Sequence, residues 1–265
     1  MPSEPVRKRR LRTTAGDSVP PIPSWGLARS RRRIRLVALL ACRDEMRFLP
    51  GYVANVGPQV DGILALDDGS TDGSGDYLEN RPEVTELLRV PPDRPAWDEP
   101  GNFARLVEAA LRSGAEWAIS IDADERVERD FRTRAERVIR RGRLLGRTGF
   151  SVRLRELWGS EAQYRADGVW RRKWPSRLFR LREGEMVDGQ PVHAPKVPRS
   201  AGWVPRSDLV VYHLRMISPD DRAARQRRYE QIDPDHAFQP RGYAYMTDES
   251  GMRLRPVPDR RGFDH

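Results

Sequence analysis

Short apolar runs alternate with helical patterns in the first half of this 265-residue chain. The apolar runs lie at 34–41, 62–66, 87–90 and 116–121. Each is short and continuous, as is typical of a strand covered on both faces of a sheet. Between them, one helix is predicted to begin near Pro50, since proline suits the first helical position, and a second covers 102–114. This β-α-β-α-β order predicts an α/β fold with a mostly parallel central sheet flanked by helices.

The two ends of the chain lack this periodicity. Residues 1–33 combine arginine clusters with prolines and few apolar residues, so a disordered basic tail is expected there. Residues 236–265 are again irregular and are expected to form a C-terminal tail. The folded domain is therefore predicted over residues 34–235.

Composition narrows the class of protein. The formal net charge is +9, and only three of the 48 basic residues are lysines. Arginine prefers planar anionic partners such as phosphate and carboxylate, although a GC-rich genome also enriches it. A single cysteine excludes an internal disulfide framework and fits a reducing cytoplasm. No apolar run approaches the roughly 20 residues of a membrane-spanning helix, so any membrane contact is expected to be peripheral, at an anionic inner face.

Three acidic clusters each follow a predicted strand. They are "CRDE" (42–45), "DDGSTDGS" (67–74) and "DADE" (122–125). The carboxyl ends of parallel strands share one edge of the sheet, where ligands of α/β proteins bind. A sheet edge, or rim, that carries this many carboxylates is expected to show raised carboxyl pKa values, because the like charges repel one another, unless a cation or a donor-rich ligand is bound there. Hard divalent ions such as Mg²⁺ or Mn²⁺ suit carboxylate ligands.

A purely structural interpretation of these clusters stays open. Gly69 and Gly73 allow turns with positive φ, and the residues from Ser70 to Asp72 can cap the next helix. "DADE" is also compatible with a helix start, where acid is favoured. The combination of three clusters at three strand ends favours a binding site.

Four stretches resemble the successive motifs of family 2 glycosyltransferases. They are "LLACRDE", "LALDDGSTDGS", "GAEWAISIDADE" and "WPSRLFR" with the later "VDGQPVH". The closest likeness is to the small bacterial branch that includes lipopolysaccharide-core glucosyltransferases. The resemblance implies a GT-A fold, which is a Rossmann-like α/β fold. It also implies a metal-dependent transfer of a sugar from a nucleoside-diphosphate sugar, with a UDP-sugar favoured, to an acceptor hydroxyl, with inversion.

The resemblance also implies roles for residues at the strand ends. Cys42, Arg43, Asp44 and Glu45 would form the loop that holds the nucleoside. Asp68 would bond the nucleobase, whereas Asp67 would support its own loop.

The metal would be held at a separate motif. Asp124 would bind Mg²⁺ or Mn²⁺, and Asp122 would contact the ribose or a metal-bound water. His213 resembles the C-terminal histidine that adds a metal ligand in many GT-A enzymes. The alternative for His213 is a buried histidine at a strand end.

The sequence departs from the family pattern at the position of the catalytic base. Related sequences read His-Glu where this chain has His193 followed by Ala194. Asp188 is the preferred substitute base and Asp167 the second choice, although Asp188 also suits the start of an Asp-Gly turn. His193 would orient the acceptor or donate to a phosphate, or else serve a structural role.

Basic segments in the second half have two interpretations. "WRRKWPSRLFR" could grip an acceptor or the diphosphate, with at least one of Trp170 and Trp174 expected in the core. The helix predicted from "SPDDRAARQRRYEQI" carries Arg222, Arg225 and Arg228, expected as a solvated face or as a dock for an anionic lipid-linked acceptor. The acceptor itself could be a glycan, a lipid-linked sugar or a small molecule.

Two other functional classes remain open on sequence alone. One is a nucleotide-sugar-binding protein that lost catalysis at Ala194. The other is a basic nucleic-acid-binding protein, which would leave the acidic rim unexplained. No specific nucleic acid partner is expected.

Overall fold

Helices cover both faces of an eight-stranded sheet. The computed structural model describes residues 33–93, 98–184 and 196–264. The strands are β1 (Leu36–Cys42), β2 (Ile63–Asp68), β3 (Val84–Val90), β4 (Trp117–Ser120), β5 (Glu125–Val127), β6 (Gly149–Glu156), β7 (Gln163–Arg165), β8 (Ser176–Arg180), β9 (Arg206–His213) and β10 (Leu254–Pro256). The helices are α1 (Leu49–Val56), α2 (Ser74–Glu79), α3 (Glu99–Arg112), α4 (Phe131–Leu144) and α5 (Pro219–Ile232). Within the described ranges, each helix is too short or too polar to traverse a lipid bilayer.

The strand order is β3-β2-β1-β4-β8-β6-β9-β5, and β7 pairs with β10 in a separate ribbon. Among the described strands, four of the seven pairings in the large sheet are parallel, namely β1 with β2, β1 with β4, β2 with β3, and β6 with β9. The predicted α/β class with a mostly parallel sheet flanked by helices is confirmed. Because β8 is antiparallel to both β4 and β6, the carboxyl ends of β1, β2, β4, β6 and β9 lie along one edge.

The strands of the parallel half bury alternate side chains on two faces. Ala38 and Leu40 of β1 pack with α1 and α4, whereas Val37 and Leu39 pack with α3 on the opposite face. All four are almost completely buried. This explains why the sequence of β1 is continuously apolar rather than alternating.

Element boundaries follow local signals. α1 begins at Leu49 with Pro50 in its first turn, as predicted. α3 begins at Glu99, three residues before the predicted start, because the Asp98 side chain accepts a hydrogen bond from the Gly101 amide at 2.9 Å and caps the helix. The apolar pattern alone cannot reveal this first turn, which carries Pro100 and Gly101.

α4 is a highly charged helix to which the sequence pattern assigned no element. Its narrow apolar stripe consists of Phe131, Ala135 and Ile139, which are fully buried at four-residue intervals. Gly142 continues the stripe, and a Cβ atom there would lie 2.1 Å from the ring of Phe150. Glycine therefore lets the end of α4 pack closely against β6.

The segment after residue 235 packs on the domain, which differs from the expected irregular tail. β10 pairs with β7, and Tyr243 and Met246 are buried with Trp158. The Tyr243 hydroxyl donates to Asp233 Oδ2 at 2.8 Å. These anchors are single residues without a repeating period, so hydrophobic periodicity could not predict their burial.

Candidate functional site

The loops that follow β1 and β2 are joined by hydrogen bonds from the "DDGSTDGS" segment. The amide of Asp44 donates to Ser70 Oγ at 3.0 Å, and the amide of Glu45 donates to Ser74 Oγ at 3.0 Å. Asp67 Oδ1 accepts from the Ser70 amide at 3.0 Å, which confirms that Asp67 supports its loop. Asp44 has a φ of 55°, so the loop holds it in the left-handed region. The hydroxyl-rich segment therefore shapes the first loop as well as its own turn.

The residues of the turn between β2 and α2 show most of the features that a purely structural role predicts. Gly69 and Gly73 have φ values of 78° and 89°, which confirms the need for glycine. Asp72 Oδ1 accepts from the Ser74 amide at 2.9 Å at the start of α2. The N-cap position itself is Gly73, without a side-chain cap. The segment therefore has a structural role in the turn that leads into α2.

Asp68 lies at the end of β2 with its side chain fully buried. Arg43 donates through Nη2 to Asp68 Oδ2 at 2.8 Å and through Nε to the Asp68 carbonyl oxygen at 2.6 Å. The Arg43 side chain remains partly exposed. The predicted nucleobase residue is therefore paired with a partly exposed guanidinium from the neighbouring loop.

Cys42 ends β1 with its side chain in the core. Burial, followed by the charge of Asp67, raises the pKa of the Cys42 thiol well above its usual range. The Cys42 thiol is therefore a core group.

The single thiol provides a test of this placement. In the native protein at pH 8, we expect a thiol reagent to label Cys42 only as fast as the fold opens, because a buried neutral thiol is a poor nucleophile. Labelling is followed by mass spectrometry across a urea gradient. Fast labelling in native buffer, comparable to that of the unfolded chain, would contradict the buried position.

Asp122 follows β4 and is surrounded by basic groups. Arg177 Nη2 lies 3.1 Å from Asp122 Oδ2 and 2.8 Å from Glu125 Oε1, and Lys196 pairs with Asp122 Oδ1. Burial opposes ionisation of Asp122, but Lys196 and Arg177 outweigh it and hold the pKa of Asp122 well below its usual range. Asp122 is therefore ionised at neutral pH.

Asp124 is buried between two basic side chains. Its Oδ2 lies 3.2 Å from His213 Nε2 and also accepts from Arg215 Nε. Arg215 reaches on to Glu45, and so links the loop after β1 to the loop after β4. Burial opposes ionisation of Asp124, but His213 and Arg215 hold its pKa well below its usual range.

His213 is brought to Asp124 by strand register. β6 and β9 pair in parallel with Glu156 opposite His213, and β5 places Glu125 opposite His213 on the other side. The His213 Nδ1 atom pairs with Glu156, and Lys173 Nζ lies 2.6 Å from the other Glu156 oxygen. Burial lowers the pKa of His213, but Glu156 and Asp124 outweigh it and raise that pKa to about 9.

The expectation of generally raised carboxyl pKa values along this rim is wrong for Asp122 and Asp124. The reason is that the chain supplies its own cations, which sequence analysis did not place there. Burial does raise the pKa of Glu45 against the opposing effect of Arg215, and likewise raises that of Glu125 against Arg177.

A cavity of about 270 Å³ opens beside these groups. Its charged lining consists of Asp122, Glu125, Glu156, Lys173, Arg177, His213 and Arg225. The Arg177 Nη1 atom is buried and has no hydrogen-bond partner within the described residues. Lys173, Arg177 and Arg225 give the lining of this cavity a cationic side that is suited to an anionic ligand.

Two groups at this edge have the chemistry of metal ligands. In the described ranges, no set of three or more His, Cys, Asp or Glu side chains is arranged to hold a metal ion. However, Asp124 offers a carboxylate oxygen beside His213 Nε2, and Glu156 holds Nδ1. A carboxylate on the distal ring nitrogen is the usual support of a metal-binding histidine. The donor set fits Mn²⁺ or Mg²⁺ that takes its other ligands from phosphate and water.

Several predicted residues lie elsewhere. Asp188 and His193 are outside the described residues. Asp167 is held by Arg165 at 3.1 Å and accepts from the Arg253 amide at 2.9 Å, so it serves the contact between β7 and β10. Trp170 is buried against Trp158 at a centroid distance of 5.4 Å, which confirms a core role for one of the two tryptophans.

The basic face predicted for α5 is not a solvated face. Arg222 is buried and donates to the carbonyl oxygens of Met216 and Ile217 at 2.9 and 3.0 Å. Arg225 lines the cavity, and only Arg228 is exposed. The helix buries arginine because this part of the core is rich in carbonyl and aromatic partners.

Sequence reasoning missed Glu156, Lys196 and Arg215 as site residues. Glu156 ends the strand "GFSVRLRE" just as His213 ends "DLVVYH", so a polar residue at a strand end was an available signal. Arg215, two residues after the end of β9, shares this signal, whereas Lys196 follows no such rule, because its position depends on contacts distant in sequence.

The amino-acid sequence is similar to those of two mycobacterial proteins. No protein-family model matches the chain. An uncharacterized protein of Mycobacterium tuberculosis and one of Mycobacterium bovis are each 27% identical over 222 residues, which cover 77% of this chain and 52% of theirs. The chain thus spans about half the length of the curated relatives it matches.

Solved structures show a distant likeness. TarS 1–349 from Staphylococcus aureus is 11% identical, with 73% of this chain and 64% of that chain covered and a TM-score of 0.46. The mannosyltransferase PcManGT from Pyrobaculum calidifontis, in complex with GDP-Man and Mn²⁺, is 17% identical, with coverage of 80% and 65% and a TM-score of 0.47. Likeness at this level is too low to assign an activity.

Proposed function

We propose that this chain is a GT-A glycosyltransferase that moves a sugar from a nucleoside-diphosphate sugar to an acceptor hydroxyl, with a divalent metal and with inversion. One observation carries the proposal. Asp68, the pair Asp122 and Asp124, and His213 come from three separate chain segments, yet all lie at the carboxyl edge of the sheet. This is the edge where open α/β sheets bind their ligands.

The donor nucleotide would lie across the loops after β1 and β2. Asp68 would accept a hydrogen bond from the nucleobase, with Arg43 beside it at 2.8 Å. Asp122 would contact the ribose. The cationic side chains of Lys173, Arg177 and Arg225 in the adjoining cavity support an anionic ligand, and a diphosphate would pair with them.

Asp124 and His213 would hold the metal, and Glu156 would orient the imidazole. A divalent ion there supplies positive charge against the negative charge that develops on the departing nucleoside diphosphate. Arg215 contacts both Asp124 and Glu45. It would shift from these carboxylates toward the anionic donor, since a carboxylate that binds a metal is a weaker partner for a guanidinium.

An inverting transfer also needs a base. The acceptor hydroxyl would attack the anomeric carbon as the glycosidic bond to phosphate breaks, while its proton passes to a carboxylate. Asp188 is our assignment for that carboxylate. Arg165 and the Arg253 amide engage Asp167, and this supports Asp188 over the second candidate.

A thermal-shift screen of nucleotide-sugars tests the proposal. With Mn²⁺ present, we expect one class of nucleoside-diphosphate sugar to raise the melting temperature, because a ligand of the folded state stabilises it. Without Mn²⁺ the shift should be much smaller. If no nucleotide-sugar produces a shift in either condition, the proposed function is wrong. A shift without turnover on a broad acceptor panel would instead favour a binding protein that lost catalysis.

Glu156 is a positioning residue whose loss has a specific expected effect. Glu156→Gln is expected to weaken Mn²⁺ binding about 10- to 100-fold, as loss of a carboxylate behind a ligating histidine commonly does. It should also lower the pKa of His213 in the metal-free protein, because one of its two acidic partners loses its charge. Paramagnetic resonance measures the Mn²⁺ affinity, and an NMR titration measures the pKa.

Glu108→Gln, on the exposed face of α3, is the matched control and should change neither value. A Glu156→Gln protein with a lowered His213 pKa but unchanged Mn²⁺ affinity would show that His213 is not a metal ligand.

A further inference from the structure

A cluster of exposed apolar side chains lies on two loops away from the candidate site. Leu144 and Leu145 at the end of α4 are 88% and 72% exposed, and Trp203, shortly before β9, is 68% exposed. We call these three residues the apolar tip. Grouped exposed apolar residues of this size mark interaction surfaces rather than ordinary protein surface.

The two loops are neighbours in space. The Arg147 guanidinium stacks 4.4 Å from the ring centroid of Trp203, and Thr148 Oγ1 donates to the Ala201 carbonyl oxygen at 3.4 Å. β6 and β9, which follow these loops, pair in parallel. Both loops therefore lie at the amino edge of the sheet and form one surface.

The apolar tip projects outward instead of lining a groove. Gly146 and Gly202 have φ values of 66° and 59°, and a Cβ atom on either glycine would meet no other atom within 4 Å. Both loops thus turn in open space. A projecting apolar surface fits a deformable partner, such as the interface of a lipid bilayer, better than it fits a rigid peptide.

The charge around the apolar tip is positive. Arg137 and Arg141 are exposed and stand eight and four residues before Leu145, so they share its face of α4. Arg147 adds a third positive charge beside Trp203. Arginine next to leucine and tryptophan is the pattern of proteins that bind an anionic membrane surface.

Charge also argues against two other occupants. Residues 1–33 contain nine basic and two acidic side chains, so like charges would oppose their docking on this surface. A second copy of the chain would bring the same arginines together. The complementary occupant is an anionic surface.

We propose that the apolar tip and its arginines dock the protein on an anionic phospholipid bilayer, with Leu144, Leu145 and Trp203 inserted among the headgroups. β9 spans eight residues, which at about 3.3 Å per residue separates the apolar tip from His213 by roughly 23 Å. The candidate site then opens away from the membrane, toward the aqueous phase. This inference depends on the surface alone and stands apart from the proposed function.

Vesicle binding of the full chain tests the inference. We expect binding to vesicles that contain phosphatidylglycerol and little binding to phosphatidylcholine alone. The triple variant Leu144→Ser, Leu145→Ser, Trp203→Ser should lower the partition coefficient by at least about tenfold, because it removes most of the inserted apolar area. Ile232→Ser with Phe238→Ser, exposed at 46% and 47% outside this surface, is the matched control and should bind as the unaltered chain does.

A second measurement separates the apolar tip from the basic residues 1–33. Brominated lipids quench an inserted tryptophan, so Trp203→Phe should remove part of the quenching seen in the unaltered protein. The measurement is made at about 0.5 M salt, where screening suppresses purely electrostatic contacts.

Three outcomes would overturn the inference. They are equal partition of the triple variant and the unaltered chain, equal quenching in the Trp203→Phe variant, and a loss of self-association in the triple variant without any loss of vesicle binding. The last outcome would identify the apolar tip as an interface between copies of this chain.

Discussion

Asp124→Asn is expected to lower sugar transfer and donor hydrolysis by about a thousandfold or more, since on the proposed function it removes the charge that would hold the metal at the leaving group. Asp124 is buried, with His213 Nε2 at 3.2 Å and Arg215 also paired to it. The asparagine preserves the shape of the side chain but cannot balance these cations. Turnover with the donor selected by the thermal-shift screen, at saturating Mn²⁺, provides the measurement.

Asp130→Asn is the matched control for this experiment. Asp130 is exposed at the N-terminus of α4 and makes no side-chain cap, so the same chemical change should leave activity intact. Circular dichroism and the melting temperature establish that both variants fold. Full activity in a folded Asp124→Asn protein would show that Asp124 does not hold a metal needed for the reaction.

Asp188→Asn is expected to lower kcat by about a hundredfold to ten-thousandfold, the usual contribution of a general base. Donor binding should be unchanged, because the base contacts the acceptor hydroxyl rather than the nucleotide. Steady-state kinetics give kcat, and calorimetry gives the affinity for the donor.

Asp167→Asn distinguishes the two candidate bases. Its contacts with Arg165 and the Arg253 amide predict a lower melting temperature with kcat largely preserved in the protein that remains folded. A large loss of kcat in Asp167→Asn together with normal turnover in Asp188→Asn would reverse the assignment.

The parallel half of the sheet is predictable from the sequence because its strands are buried on both faces. The runs that became β1, β2 and β4 are apolar at most positions, and acidic residues lie at the end of each run or within two residues after it. The right order of strands and helices then places the acids on one edge. By contrast, β6 and β8 carry arginine among their apolar residues, and their antiparallel pairing depends on contacts distant in sequence.

The acids of the site and His213 were visible in the sequence, but the pairing of these acids with arginine was not. Asp122 and Asp124 follow β4 directly, so their position depends only on a strand end. Arg177 and Arg215 reach them from segments 55 and 91 residues away. In a chain with 48 basic residues, charge alone does not distinguish these arginines from those on the surface.

The charge pattern of α5 led to a prediction that was wrong. Its charge pattern indicated a solvated helix, yet Arg222 is buried and hydrogen-bonded to Met216 and Ile217. Binary patterns of apolar and polar residues treat arginine as an exposed residue. They fail where the apolar stem packs on an aromatic ring, as Arg222 does 4.2 Å from the ring of Trp158.

The most direct test of the central claim is whether nucleotide and metal bind this edge together. Calorimetric titration with the nucleoside diphosphate of the selected donor, UDP being expected, is made with and without Mn²⁺ on the unaltered chain and on Asp124→Asn. We predict that Mn²⁺ tightens nucleotide binding at least about tenfold in the unaltered chain and has no such effect in the variant. Equal nucleotide affinity with and without Mn²⁺, unchanged in Asp124→Asn, would contradict the account.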